Sequence, residues 1–140
     1  MFEARLEQHR GRPLAGGPVT RTLALATDKT LVALHRLIRQ AFAWDEGHLY
    51  SFWLDGRYRG SQESEYTAPL EPEERGASSA DVRVDRLGLK LGQRIAYVYD
   101  FGDEWRVALQ LRERRPGGKT GILERQGEAP PQYPDWEDDG

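Results

Sequence analysis

Residues 94–111 read RIAYVYDFGDEWRVALQL, and the stretch divides into two strands around a turn. Ile95, Tyr97 and Tyr99 face one way. Trp105, Val107, Leu109 and Leu111 share a face, with Arg106, Ala108, Gln110 and Arg112 opposite. Alternation with a period of two marks a strand that lays one face on a core. The connector Asp100-Phe101-Gly102-Asp103-Glu104 holds one Gly and two Asp, which suits a hairpin loop of three to five residues. A β-hairpin here fixes the remainder of the chain as material to be packed against or paired with it.

Upstream, Leu31, Leu34, Leu37, Ile38, Ala41 and Phe42 recur at helical spacing, with Arg36, Arg39 and Gln40 on the wet side. The spacing predicts an amphipathic helix over 30–42, capped by Thr27, Asp28 or Thr30, with His35 on its surface or boundary. Phe2, Ala4 and Leu6 alternate with charges as a first strand. Val19, Leu23 and Leu25 suggest a second over 18–25, with Arg21 breaking the parity. Gly11–Pro18 is a Gly/Pro turn between them, which predicts antiparallel pairing. His48–Leu54 is a short aromatic-rich strand, and Val84, Leu87 and Leu89 are expected buried contacts.

Two segments lack periodicity. Residues 56–81 carry Gly56, Gly60, Pro69, Pro72 and Gly76 with five Glu, and read as an acidic loop insertion. Residues 116–140 read as an irregular acidic tail rich in Pro and Gly, where Ile122 and Leu123 are the one aliphatic pair. The domain assignment is therefore a single α+β domain over 1–115 with the 56–81 insertion, followed by the 116–140 tail. Strand and helix do not alternate as a parallel α/β fold requires. The fold class is α+β: a mixed, mostly antiparallel sheet with one long helix packed on one face, in a grasp-like arrangement.

Composition removes whole classes of function. The 140 residues contain no Cys, which excludes disulfide frameworks, thiolate zinc sites and cysteine nucleophiles. At 31% charged residues and with no apolar run near the length of a membrane span, a soluble, cytoplasmic protein is expected, with no membrane partner. The net charge of −3 is uneven: residues 61–81 hold six acids against one Arg and residues 116–140 six against two basic residues, while 1–60 and 82–115 are mildly basic. Neither basic segment has the Lys/Arg block that announces nucleic-acid contact.

Chemistry-bearing motifs are sparse. Asp100-Phe101-Gly102 lacks the Gly-rich loop and catalytic loop that would accompany a kinase magnesium motif. Walker, dinucleotide, nucleophile-elbow and paired-His zinc motifs are absent. His48 with Asp100 and Asp103 offers three ligands from separate segments; the simpler reading has both aspartates capping the hairpin's N–H groups while Phe101 plugs the sheet end. No metal, cofactor or catalytic residue is assigned. The aromatics Trp44, Tyr50, Phe52, Trp53, Tyr97, Tyr99, Phe101 and Trp105 cluster in two stretches; most are expected in the core, while alternation sends some of Tyr50, Phe52, Tyr97 and Tyr99 to the opposite face, where exposed rings beside Arg57, Arg59, Arg94 and Arg106 would make a recognition surface.

A longer pattern joins these pieces. Leu34-His35, Trp44-Asp45, His48-Leu49 with Phe52, Leu89-Lys90, Gly92, Tyr97, the string Tyr99-Asp100-Phe101-Gly102-Asp103 and Trp105 resemble the family of plasmid-borne proteins described as pRi open-reading-frame-three-like, also described as transposon passenger proteins. A weaker echo is Gly127-Glu128-Ala129-Pro130-Pro131, so the resemblance covers about residues 1–131. The chain departs from it at Pro18-Val19-Thr20-Arg21, which lacks the family's Trp, and at Pro131-Gln132-Tyr133-Pro134, which replaces its acidic tail motif. The resemblance implies an α+β domain with a link to mobile elements, and no particular reaction.

The expected function is a small, non-catalytic binding module whose partner is another protein. The binding residues are Trp44, His48, Asp100, Phe101, Gly102, Asp103 and Trp105. The alternatives are a nucleic-acid accessory role, with nucleic acid as partner, and a carboxylate- or metal-assisted hydrolase.

Overall fold

The computed structural model, which describes residues 1–14, 16, 19–69, 77–113, 119–130 and 132, builds outward from the hairpin. Strands β7 (Arg94–Tyr99) and β8 (Trp105–Leu111) pair antiparallel with Tyr99 opposite Trp105, Tyr97 opposite Val107 and Ile95 opposite Leu109. On β8 the alternation is clean: Trp105, Val107, Leu109 and Leu111 are buried and the residues between them half-exposed. Strand β7 is apolar at both parities and is buried on both faces. Its second face, Ala96 and Val98, packs with Trp53 under Tyr58 and Phe101.

The N-terminal strands close against this pair. Strand β1 (Phe2–His9) lies antiparallel to β8, with Ala4 opposite Leu109, and to β3 (Val19–Ala24), with Leu6 opposite Val19. A two-residue strand, β2 (Arg12–Pro13), folds back on the end of β1. Helix α1 (Leu31–Phe42) lies on the core side of the sheet and buries all six residues of its predicted stripe. Its N-cap is Thr30, whose hydroxyl accepts from the Ala33 N–H at 3.2 Å. It ends at Ala43 in the left-handed region, with the Trp44 N–H on the Arg39 carbonyl at 2.9 Å.

Arg21 is not a break in β3. It takes the inward slot between Val19 and Leu23, opposite the small Ala4, and is 5% exposed. A buried guanidinium must satisfy its donors. Its Nε donates to the Ala41 carbonyl in the last turn of α1 at 3.0 Å, and Nη1 donates to the carbonyls of Thr20, Gln126 and Gly127 at 2.8–3.1 Å. The cation thereby sits at the negative end of the helix dipole and ties three elements together.

The 56–81 segment is not loop throughout. Within it, β5 (Glu65–Thr67) pairs antiparallel with β4 (Tyr50–Trp53), and β6 (Ser78–Ser79) runs parallel to β5. Glu65, an acid that reads as solvent-facing, is buried and accepts the Ser51 hydroxyl at 2.7 Å. Residues 70–76 of this expectation lie outside the described residues. The 116–140 tail also contains structure: β9 (Gly121–Gln126) pairs antiparallel with β3, placing Thr22 opposite Glu124. Ile122 leans on the core, whereas Leu123 is 53% exposed. Residues 116–118, 131 and 133–140 of the tail lie outside the description.

The resulting sheet runs β6-β5-β4-β7-β8-β1-β3-β9, mostly antiparallel, in an α+β architecture with one α-helix among the described residues. Val84–Arg86 forms a 3₁₀ turn; Leu89 is buried, while Val84 and Leu87 pack only partly against the core. Among the described residues, no helix is long and apolar enough to cross a membrane.

Candidate functional site

The register of β7 and β8 leaves five residues, 100–104, projecting from one end of the sheet. Asp100 and Glu104 both take left-handed backbone, with φ of 63° and 52°, and the Glu104 N–H closes the loop on the Asp100 carbonyl at 2.6 Å. Aspartate tolerates this region because its short carboxylate bonds locally. Asp100 Oδ1 accepts from the N–H groups of Gly102 and Asp103 at 3.1 and 3.2 Å. The Asp100 N–H donates to the Leu49 carbonyl at 2.8 Å, docking the loop on the connector that follows α1.

Asp103 does not share this capping role. Its carboxylate faces the end of β1, where Oδ1 accepts from Arg10 Nε and Nη2 at 3.0 and 2.8 Å, while its carbonyl accepts the Arg10 N–H at 2.8 Å. His9 Nε2 lies 3.9 Å from the other oxygen. Burial lowers the His9 pKa, and the Asp103 charge pulls against that shift. Glu104 is held by Arg59 and Arg106, the latter at 3.0 and 3.1 Å. Desolvation pushes its carboxyl up, but the two guanidiniums outweigh that and hold it below the usual range. The third acid, Asp100, has His48 Nδ1 at 3.4 Å from Oδ2.

Aromatic rings form the bed of the loop. Trp44 is stacked on Tyr99 with centroids 5.3 Å apart and lies 5.4 Å from Trp105, which in turn stacks against His9 at 3.6 Å. Trp44 and Trp105 are 2% and 0% exposed, so they position the site from beneath and present no surface of their own. Tyr50, Phe52, Tyr97 and Tyr99 are likewise buried, as expected of most of the aromatics, and the outer aromatic face that alternation offered for some of them does not form. The reason is that β4 and β7 are central strands covered on both sides. Phe101 does not plug the sheet end; it packs on the second-face cluster with the Arg59 guanidinium 5.0 Å above its ring.

The structure thus brings His48, Asp100, Phe101, Gly102 and Asp103 together at the surface, over Trp44 and Trp105. It adds His9, Arg10 and Glu104, which sequence reasoning did not select. His48 and Asp100 are close, but Asp103 turns away to Arg10; among the described residues no three His, Asp or Glu side chains converge in a way that could hold a metal ion.

Comparison with known proteins follows the same span. The family described as plasmid pRiA4b ORF-3-like protein matches residues 14–133, which contain the loop, Trp44, Tyr99 and Trp105 but not His9 and Arg10. The uncharacterized protein y4hQ of Sinorhizobium fredii (strain NBRC 101917 / NGR234) is 30% identical over 106 residues, covering 73% of this chain and 52% of that protein. The chain therefore spans about half the length of this curated relative. The crystal structure of the protein of unknown function MM3350 from Methanosarcina mazei Go1 superposes with a TM-score of 0.71 over 94% of this chain and 70% of that one, at 20% identity. That likeness concerns the fold alone.

Proposed function

Because the chain belongs to the plasmid pRiA4b ORF-3-like family, we propose that it is a small, non-catalytic recognition module of plasmids or other mobile elements, and that its 100–104 loop binds another protein. The observation that carries this reading is the over-determination of a five-residue loop: each of its three carboxylates is met by a side chain from outside the loop, Asp103 by Arg10, Asp100 by the His48 ring, and Glu104 by Arg59 and Arg106. Left-handed backbone at a non-glycine residue is costly and persists where surrounding contacts fix it, which is common at binding sites. Loops held by a rigid sheet are where recognition residues concentrate.

The arrangement speaks against nucleic acid as the partner. Arg10, Arg59 and Arg106 already face carboxylates, so phosphate would have to compete with Asp103 and Glu104 for them. A surface that alternates acid, guanidinium and the Phe101 ring suits a protein partner with matching charges.

Asp103→Asn tests the reading. The substitution keeps the shape and removes the charge facing Arg10, a partly exposed pair. Such pairs contribute about 1 kcal/mol or less, so the melting temperature should move by only a few degrees. Capture of the partner from nuclease-treated extract of the native host should nevertheless fall sharply. A variant that is fully stable and captures the same partner normally would refute a charge-based site.

A further inference from the structure

A second feature lies beside the loop and shares His48 with it. An open cleft of about 370 Å³ separates the first half of α1 from the start of β4. Its polar wall is His35, Arg36 and Tyr50, with Glu46 and His48 at its rim; its apolar wall is Val32, Leu49 and Pro69.

The protonation of the polar wall follows from its contacts. His35 stacks on Tyr50 with centroids 3.6 Å apart, and its Nδ1 lies 2.8 Å from the Tyr97 hydroxyl. Burial, followed by the charges of Arg39 and Arg36, depresses the His35 pKa to about 3, so the ring is neutral. Tyr97 is fully buried and keeps its proton. Nδ1 of His35 is the partner of its hydroxyl among the described residues. The phenol therefore donates, Nδ1 accepts, and the ring proton resides on Nε2. Nε2 has no protein partner among the described residues yet is not sealed in the interior, and the cleft is where His35 opens.

The same holds for Tyr50. Its side chain is only 5% exposed, burial raises its pKa to about 12, and its hydroxyl has no partner among the described residues and is not sealed. Arg36 is exposed at the cleft without a carboxylate partner among the described residues, and its charge acts on both rings. Two neutral donors and one cation thus line a cleft whose one carboxylate among the described residues, Glu46, is already paired with Arg39.

We infer that this cleft binds a singly charged carboxylate carried on a small apolar group, with Arg36 as counter-charge and His35 Nε2 and Tyr50 Oη as donors. One guanidinium matches one negative charge. Glu46, which pairs with Arg39 at 3.0 Å and borders the cleft, and Asp81, whose charge raises the Tyr50 pKa, both oppose a phosphate dianion. The apolar wall, with Leu49 43% exposed, takes the carbon body. The carboxylate belongs either to a free organic acid or to the C-terminus of a peptide.

Titration calorimetry on the full chain separates these sources. The probes are 4-methylpentanoate and its amide, and a Gly-Gly-Leu tripeptide with a free or an amidated C-terminus. The free acid forms should bind at least about tenfold more tightly than the amides, the loss expected when charge-assisted hydrogen bonds are removed. Tighter binding of 4-methylpentanoate indicates a free acid; tighter binding of the tripeptide indicates a chain terminus. Tyr50→Phe, which retains the ring stack, and Arg36→Gln, on an exposed helix position, should each weaken binding severalfold with an unchanged melting temperature. Acid and amide binding alike, no binding by either acid, or both variants binding as the wild type would overturn the assignment. Asp103→Asn should leave carboxylate affinity intact, so failure here is distinct from failure of the partner-binding loop.

Discussion

Trp105→Ala should destabilise the protein by about 3–5 kcal/mol, the range for removing a fully buried large aromatic from a packed core. The indole is wholly buried at the exit of the loop, opposite Tyr99 and between His9 and Trp44. Its loss removes transfer energy, leaves a cavity and forfeits two ring contacts, each of which adds a fraction of a kcal/mol to about 1.5 kcal/mol beyond area burial. Urea unfolding followed by far-UV circular dichroism reads the change. A cost under about 1 kcal/mol would mean that the loop bed had collapsed around the vacancy and that Trp105 does not anchor it.

Acid should act through His35. Its folded pKa, about 3, lies below the ordinary 6.5, so below pH 6.5 the unfolded chain binds a proton that the folded protein refuses. Stability from this group is therefore complete above pH 6.5 and declines as pH falls toward 3. The loss is about 2 kcal/mol at pH 5, before most carboxylates titrate. His9, whose pKa is also lowered by burial, acts in the same direction. Chemical unfolding at pH 7 and pH 5 gives the difference, and the NMR titration of the His35 ring assigns it. A His35 midpoint near 6.5 in the folded protein would contradict the neutral, Tyr97-bonded imidazole on which the cleft depends.

What the sequence makes legible is what periodicity records. The hairpin and α1 are readable because each puts one apolar face on a core, so their spacing repeats in the chain. Strand β9 carries no such signal: from Leu123 to Gln126 its residues are exposed, and edge pairing with β3 through the backbone holds it in the sheet. Strand β5 is three residues long, too short for a period, and its inward Glu65 reads as a loop acid until the fold brings the Ser51 hydroxyl to its carboxylate. Arg21 interrupts a strand pattern only on the assumption that cations face water; the distant carbonyls that satisfy it come from α1, the last residue of β9 and the glycine after it.

At the site, Asp100 and Gly102 are legible because an Asx-closed loop is a local matter. The ion pairs are not. Arg10 and Asp103 are 93 residues apart, and Arg59 and Glu104 are 45 apart, distances at which no local rule operates. Trp44 and Trp105 stand out as recognition residues from their place beside the loop, but an indole that supports a surface and one that forms it have the same one-letter code. Only burial separates them.

The central claim is that the 100–104 end of the sheet meets a protein partner, and site-specific photocrosslinking tests it most directly. Phe101→p-benzoylphenylalanine places the probe in the loop; Leu91→p-benzoylphenylalanine places it at the opposite end of the β7–β8 hairpin, where Leu91 is 61% exposed. Irradiation in nuclease-treated extract of the native host should give a protein adduct of defined mass from position 101 and none from position 91. Adducts of equal yield from both positions, or an adduct from position 101 that disappears on nuclease treatment, would contradict the account.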